Sequence, residues 1–272
     1  AELLLEQHSP EVPDAADYLR TEPHSVSAAT FWFKAEEAGW IPAGVLPKLR
    51  TPDRIAPADQ YVGIACPVPP ASEAKLVAYC SGMGSGKSEA IAAAVQQHRE
   101  NNLRTVLVGH RRSLISTLAK KLDLPFATGL GRDETQLGMA LCIDSLCPRS
   151  GMRFDASAWA GQVVVIDEVA QVLHHAVMTR KTSVAERREE VLEQLSKLLK
   201  NAAQVIVADA QLSDAVLALL EELCGCKALL IGSKRRPAEG RELTVYRHRD
   251  PWRKVLTNHI ERRQRLWIAT TA

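Results

Sequence analysis

The sequence predicts an α/β protein: a parallel sheet with helices on both faces, preceded by an irregular, proline-rich N-terminal extension. Three observations carry this. Apolar strand-like runs alternate with helix-forming runs from residue 75 to 233. The run Lys75-Leu76-Val77-Ala78-Tyr79-Cys80 enters the loop SGMGSGKS at 81–88, which opens directly into the helix former EAIAAAVQQH. The continuous apolar stretch Gly161-Gln162-Val163-Val164-Val165-Ile166, of the kind buried on both faces of a parallel sheet, ends in Asp167-Glu168.

In order, the pattern gives strands at 75–80, 104–109, 139–143, 162–166, 204–208 and 227–231, with helices at 87–99, 112–121, 168–177, 184–200 and 212–223. Residues 1–74 hold ten prolines and one expected helix near Ser27 to Gly39, so they read as a lead-in without a sheet of its own. Residues 234–272 read as a basic linker with a short strand at Leu243 to Tyr246, a helix after Pro251 and a final strand-like run at 266–271. Beginning with Ala and not Met, the chain is expected to be a trimmed piece of a longer one.

The loop at 81–88 is read as a phosphate cradle. Glycines let the backbone wrap an anion so closely that several N–H groups point inward, and the following helix adds its positive N-terminal end. Ser81 stands at the first position, where the usual pattern has glycine. The candidate nucleotide-binding residues are Gly82, Met83, Gly84, Ser85, Gly86, Lys87 and Ser88. Lys87 supplies the cation for the β- and γ-phosphates of ATP, and the Ser88 hydroxyl suits Mg²⁺. Asp167 and Glu168 lie where a strand's carboxyl end meets ligand in open α/β sheets. Asp167 would help hold Mg²⁺, and Glu168 would orient and deprotonate the attacking water. The same two acids could instead merely open the next helix.

Charge is distributed unevenly: residues 1–74 carry 5 basic and 11 acidic side chains, residues 234–265 carry 11 basic and 4 acidic, and the net charge is +2. The tail is thus a candidate polyanion contact, or simply a solvated face. Six cysteines without paired C-x-x-C spacing argue against structural zinc and for a reducing, cytoplasmic setting, with Cys80 and Cys142 as small buried hydrophobes. No run reaches membrane-span length, so no membrane partner is expected.

Two arginines, Arg111 and Arg112, follow the strand Thr105-Val106-Leu107-Val108-Gly109; Asp144-Ser145 follows the strand at 139–143, and Asp209-Ala210 follows Val205-Ile206-Val207-Ala208. MGSGKS, GHRRSL, CIDSL, VVVIDEV and ADAQLSD, in that order, resemble motifs I, Ia, Ib, II and III of a superfamily 2 helicase. The chain is most similar to the origin-binding helicases of herpesviruses and to helicase modules of plasmid replication proteins, including those of cyanobacteria, over residues 60–272.

The resemblance implies a RecA-like P-loop NTPase lobe that binds ATP and Mg²⁺ and acts in plasmid or phage DNA replication. Lys87, Asp167, Glu168 and Asp209 would be its catalytic residues, with Asp209 near the γ-phosphate and Ser88 and Asp167 on the metal. Arg111, Arg112 and Ser145 would hold single-stranded or forked DNA. Tyr61, after Gln60, would meet the adenine, although an ordinary surface tyrosine fits equally. A second RecA-like lobe, and with it an arginine finger, would come from elsewhere in the parent chain, leaving this lobe weakly active alone. Replication proteins are further expected partners. Motif II reads DEVA, not DEAD or DEAH. His174-His175 are adjacent on one helix and therefore point apart, which suits a surface role better than metal ligation. A nucleotide-binding interaction module without turnover remains an alternative, as does a small-molecule P-loop kinase, which the Asp-Glu pair and the third Asp-ended strand disfavour.

Overall fold

The computed structural model describes residues 49–127, 137–178, 186–236 and 249–262. The chain divides into two compact units, one spanning Pro47–Glu239 and the other combining Ala1–Leu46 with Gly240–Ala272. In the first unit, strands β1 (Arg54–Ala56), β2 (Leu76–Cys80), β3 (Thr105–Gly109), β4 (Gly138–Cys142), β5 (Val163–Asp167), β6 (Gln204–Asp209) and β7 (Ala228–Ser233) form one sheet. Its order is β1-β7-β2-β6-β5-β3-β4, and every pairing is parallel.

Among the described residues, six helices belong to this unit: α1 (Val62–Ala65), α2 (Lys87–Glu100), α3 (Arg112–Lys121), α4 (Val169–Met178), α5 (Arg188–Asn201) and α6 (Asp214–Cys224). Strand alternation decides which helices cover which face. Val77, Tyr79, Leu107, Val163, Val165 and Ile206 pack with Ile91 and Val95 of α2 and with Ile115 and Leu118 of α3. Their neighbours Leu76, Ala78, Val106, Val108, Val164, Ile166, Val205 and Val207 pack with Val172 of α4, Leu195 and Leu198 of α5, and Leu217 and Leu220 of α6. Both faces are therefore dry, which is why these strands read as unbroken apolar runs and not as alternating ones. Each buried Leu, Ile or Val contributes about 1.5–3 kcal/mol through its removal from water. The helices are closed by local chemistry: Ser213 Oγ accepts the Val216 N–H at the start of α6, and Gly225 ends it at φ 68°.

The expected α/β architecture is present, with differences at its margins. Residues 1–74 were expected to stay outside the sheet, yet β1 and α1 lie within them. β1 pairs with β7, and Asp53 reinforces the join, its N–H donating to the Leu230 carbonyl (2.8 Å) and its Oδ2 accepting the Leu230 N–H (2.7 Å). A three-residue strand between Pro52 and Pro57 leaves too short a pattern to read. The strand expected at 139–143 is one residue out of register, and Ile143–Leu146 form a 3-10 turn. A second such turn, Ala156–Trp159, is held by Gln194 of α5, whose Oε1 accepts the Ala156 N–H at 2.9 Å.

The second unit is described through α7 (Arg249–Glu261); the helix was expected after Pro251 and begins two residues before it, with the proline in its first turn, where a missing N–H costs no helical bond. The expected helix near Ser27 to Gly39, the strand at Leu243 to Tyr246 and the final run at 266–271 lie outside the described residues. Among the described residues, no helix is long and apolar enough to cross a membrane.

Candidate nucleotide site and strand-end arginines

The strand register brings the sequence-predicted residues to one edge. Cys80, the last residue of β2, pairs with Asp209 at the end of β6, and Asp167 at the end of β5 pairs with Ala208. The loop at 81–88, the Asp167-Glu168 pair and the Asp209 turn thus leave the sheet side by side, at its carboxyl edge.

The loop braces itself. Ser81 and Ser85 share a hydrogen bond between their hydroxyls (2.7 Å), so the residue that replaces the usual glycine ties the two ends of the loop together. Gly84 and Gly86 sit at φ 73° and 96°. At Gly86 a side chain would be strained by that angle and would also strike Tyr61, whose Cδ1 lies 2.7 Å from where a Cβ would be. Gly82 has open space around it, so glycine there is not required by the fold. Met83 is 82% exposed at the apex.

Lys87 opens α2 and is buried, its ammonium donating to the carbonyls of Ser81 and Gly82. Burial pushes its pKa down, while Glu168, Asp167 and Asp209, in that order, pull it back up. The cation is therefore coupled to all three carboxylates. Asp167 and Glu168 respond in kind: burial holds both carboxyls above their usual range, and Lys87 opposes this in each. For Glu168, the neighbouring Asp209 and Asp167 charges add to the rise. Ser88 is half-buried, one residue into α2.

Asp209, expected beside the γ-phosphate, has both carboxylate oxygens engaged by the backbone. Its Oδ2 accepts the Ala170 N–H (2.8 Å) and its Oδ1 accepts the Gln211 N–H (2.8 Å), while its own carbonyl accepts the Ser81 N–H (3.3 Å). Buried Asp209 is a clip joining the loop, the start of α4 and the turn after β6. Glu168 takes a left-handed backbone, φ 54°, and its carbonyl accepts the N–H groups of Gln171 and Val172 to start α4. A non-glycine residue in that region stores about 1–2 kcal/mol of strain. The Gln171 amide donates to Glu168 Oε2 at 3.1 Å.

A second cluster lies at the ends of β3 and β4, where Gly109 pairs with Cys142. Arg111 and Arg112 are exposed at the start of α3, and Ser145 is half-buried in the adjacent 3-10 turn. The Arg112 guanidinium stacks over Phe126, 5.1 Å from the ring centroid. Between the two clusters, His110 lines a cleft with Gly109, Leu114, Ile115, Asp167 and Glu168, and burial followed by the Arg111 and His175 charges pushes its pKa down. His174 is exposed; His175 faces Asp144 at 3.3 Å.

Sequence reasoning missed Phe126 beneath Arg112, His110 in the cleft, the Ser81–Ser85 bond and the stacking of Arg235, a member of the basic tail, whose guanidinium lies 4.3 Å from the Tyr61 ring centroid. The dipeptide His110-Arg111 was a visible signal for the first of the cleft residues; long-range stacking leaves none. Cys80 and Cys142, expected to be buried, end their strands half-buried, and all six cysteines are free. Of the basic tail, Lys234, Arg236, Arg253, Lys254 and Arg262 are exposed, whereas Arg247, Arg263 and Arg265 lie outside the described residues.

A family model described as origin of replication binding protein matches residues 25–231. An uncharacterized protein of Picosynechococcus sp. is 31% identical over 214 residues, covering 74% of this chain and 21% of that protein, so the chain spans about a fifth of the relative's length. Among solved structures, Mss116p bound to ssRNA and AMP-PNP aligns at TM-score 0.46 and 16% identity, over 71% of this chain and 45% of that one. The UvsW helicase of bacteriophage T4 aligns at 0.41 and 9%, over 75% and 77%. A DEAD box protein of Methanococcus jannaschii aligns at 0.40 and 13%, over 60% and 47%.

Proposed function

Because this chain belongs to the origin of replication binding protein family, we propose that it is the ATP-binding, RecA-like lobe of a superfamily 2 DNA helicase or translocase acting in plasmid or phage replication. The observation that carries this reading is the buried Lys87, electrostatically coupled to Glu168, Asp167 and Asp209 at the mouth of a glycine loop. A lone buried ammonium beside three carboxylates is poorly suited to holding a core together and well suited to receiving a polyphosphate.

In this mechanism the loop amides and the start of α2 receive the phosphates, and Lys87 turns from the Ser81 and Gly82 carbonyls to the β- and γ-phosphate oxygens. Glu168 takes the proton of the attacking water; its upward-shifted pKa moves it toward the neutral range in which a general base works best. Asp209 fixes the backbone that carries Glu168, by holding the Ala170 N–H two residues on. Ser88 and Asp167 offer a hydroxyl and a carboxylate, hard oxygen donors that fit Mg²⁺. When bound, that ion neutralises charge on the phosphate oxygens. A second lobe of the parent chain completes the site with an arginine. Arg111, Arg112 and Ser145 hold the sugar-phosphate backbone of single-stranded or forked DNA, and the cleft lined by His110, Asp167 and Glu168 lies between that edge and the ATP site. Replication proteins are the further partners of this reading, and the cytoplasm its location.

The test is ATP turnover by the full-length parent with and without single-stranded DNA. DNA-stimulated hydrolysis lost in Glu168→Gln supports a motor. Tight ATP binding with no turnover under either condition would leave a nucleotide-binding interaction module instead.

A further inference from the structure

Arg235 follows β7, outside every motif named above, and lies against Tyr61, the residue that abuts the loop at 81–88. Tyr61 is pinned against that loop: the Val62 N–H donates to the Ser85 carbonyl at 2.9 Å, and the Tyr61 side chain fills the space that a side chain on Gly86 would need. The Arg235 guanidinium covers the Tyr61 ring. Its backbone is set by the Ser233 hydroxyl, which accepts the Arg235 N–H at 3.0 Å.

The hydrogen bonding of this guanidinium is incomplete. Among the described residues it makes one long bond, Nη1 to the Asp59 carbonyl at 3.5 Å, and its Nε is buried without a partner. Arg50 and Arg99 also have an unpartnered Nε, yet Arg50 commits Nη1 to Glu221 and Nη2 to the Ala228 carbonyl, and Arg99 commits Nη2 to the carbonyls of both Leu122 and Asp123. Arg235 therefore combines a stacked, planar cation with unspent donors, one residue's width from the loop glycine Gly86. A purine matches both: its face stacks on a guanidinium plane, and its ring nitrogens accept N–H bonds.

We propose that Arg235, stacked on Tyr61, seats the nucleobase of the bound nucleoside triphosphate. This rests on the reading of 81–88 as the phosphate site, and it adds a residue that follows the last strand of the sheet to a site otherwise built from motifs before it.

The experiment separates base from phosphate by titrating the 272-residue chain calorimetrically with Mg²⁺-ATP and with inorganic tripolyphosphate, which has no base. Arg235→Ala should weaken ATP about tenfold, the size of one lost stacking contact, and leave tripolyphosphate unchanged. Arg235→Lys keeps the charge without the plane and should match the alanine variant, which also guards against a folding defect in the latter. Equal affinity of wild type and both variants for ATP would overturn the proposal and leave Arg235 a staple between β7 and the 57–61 loop. Parallel weakening of both ligands would overturn it as well, making Arg235 a phosphate ligand. Should wild type bind neither ligand, the phosphate-loop reading falls, and the base seat with it.

Discussion

At the ends of β2, β6 and β5 the charged groups are half or fully buried and answer one another, while at the ends of β3 and β4 the arginines stand in solvent. Lys87 feels three carboxylates, and each oxygen of Asp209 is taken by a backbone donor. Arg111 and Arg112 are exposed, and among the described residues the contact that orients Arg112 is a phenyl ring. The difference teaches where function is stored. Buried, coupled charges are set before the ligand arrives and respond steeply to any single change; exposed ones act through number and are screened by salt.

The sharpest way to break the buried cluster is to remove its base. Glu168→Gln in the full-length parent should cut ATP hydrolysis by about 10²–10⁴ while ATP affinity stays within about twofold, read by steady-state turnover and calorimetry. The same variant should melt higher than wild type in metal-free buffer, because burial raises the Glu168 and Asp167 pKa values. A carboxyl bound more tightly to its proton in the folded state costs nothing below the usual carboxylate range. The cost grows as pH rises from that range through the raised folded value, and is complete above it. Wild-type Tm should accordingly fall with pH across that window, and fall less in Glu168→Gln.

Lys87→Ala should weaken ATP by at least about a hundredfold, since it deletes the loop's charge-assisted contact to two phosphates. It should not destabilise the fold, because a buried ammonium whose pKa is pushed down is one the fold holds at a cost. Loss of ATP binding together with a lower Tm would mean that Lys87 is part of the core's support.

Asp209→Ala tests the clip. Two backbone donors lose their acceptor, and the expected destabilisation is about 2–4 kcal/mol, measured by denaturant unfolding. A change under about 0.5 kcal/mol would show that water replaces the carboxylate freely.

The exposed edge should yield the smallest effect. Arg112→Ala should lower the log-log salt slope of single-stranded DNA binding by about 0.7, with ATP affinity unaltered. An unchanged slope would place the strand elsewhere.

Much of this was legible because both faces of the sheet are covered. Runs such as Val163–Ile166 and Val205–Ala208 have no polar position to break them, and acids or glycines punctuate their ends where ligand groups are needed. The candidate nucleotide residues stood out for a related reason: phosphate wrapping demands glycines, a lysine and a hydroxyl in contiguous sequence. Contacts closed over long separations were not legible. Arg235 on Tyr61 and Arg112 on Phe126 join residues whose neighbours in sequence give no sign of the ring, and β1 is defined only by its partner β7. The bracing of Asp209 was hidden too, since an Asp after a buried strand reads as a ligand group whether or not backbone donors consume it.

The β1–β7 pairing sets where the chain can be cut. Pro52 and Pro57 bracket a three-residue outer strand, so the sheet ends in an edge too short and too interrupted to recruit another strand. Domain trimming guided by the motifs alone would begin at residue 75 and strip β1 away. That leaves Ala228–Ser233, ALLIGS, as a six-residue apolar margin with its Leu230 amide and carbonyl unpaired. Such a protein should multimerise by strand addition at micromolar concentration, so size-exclusion behaviour of fragments starting at 49 and at 75 would part company even though both contain every nucleotide motif.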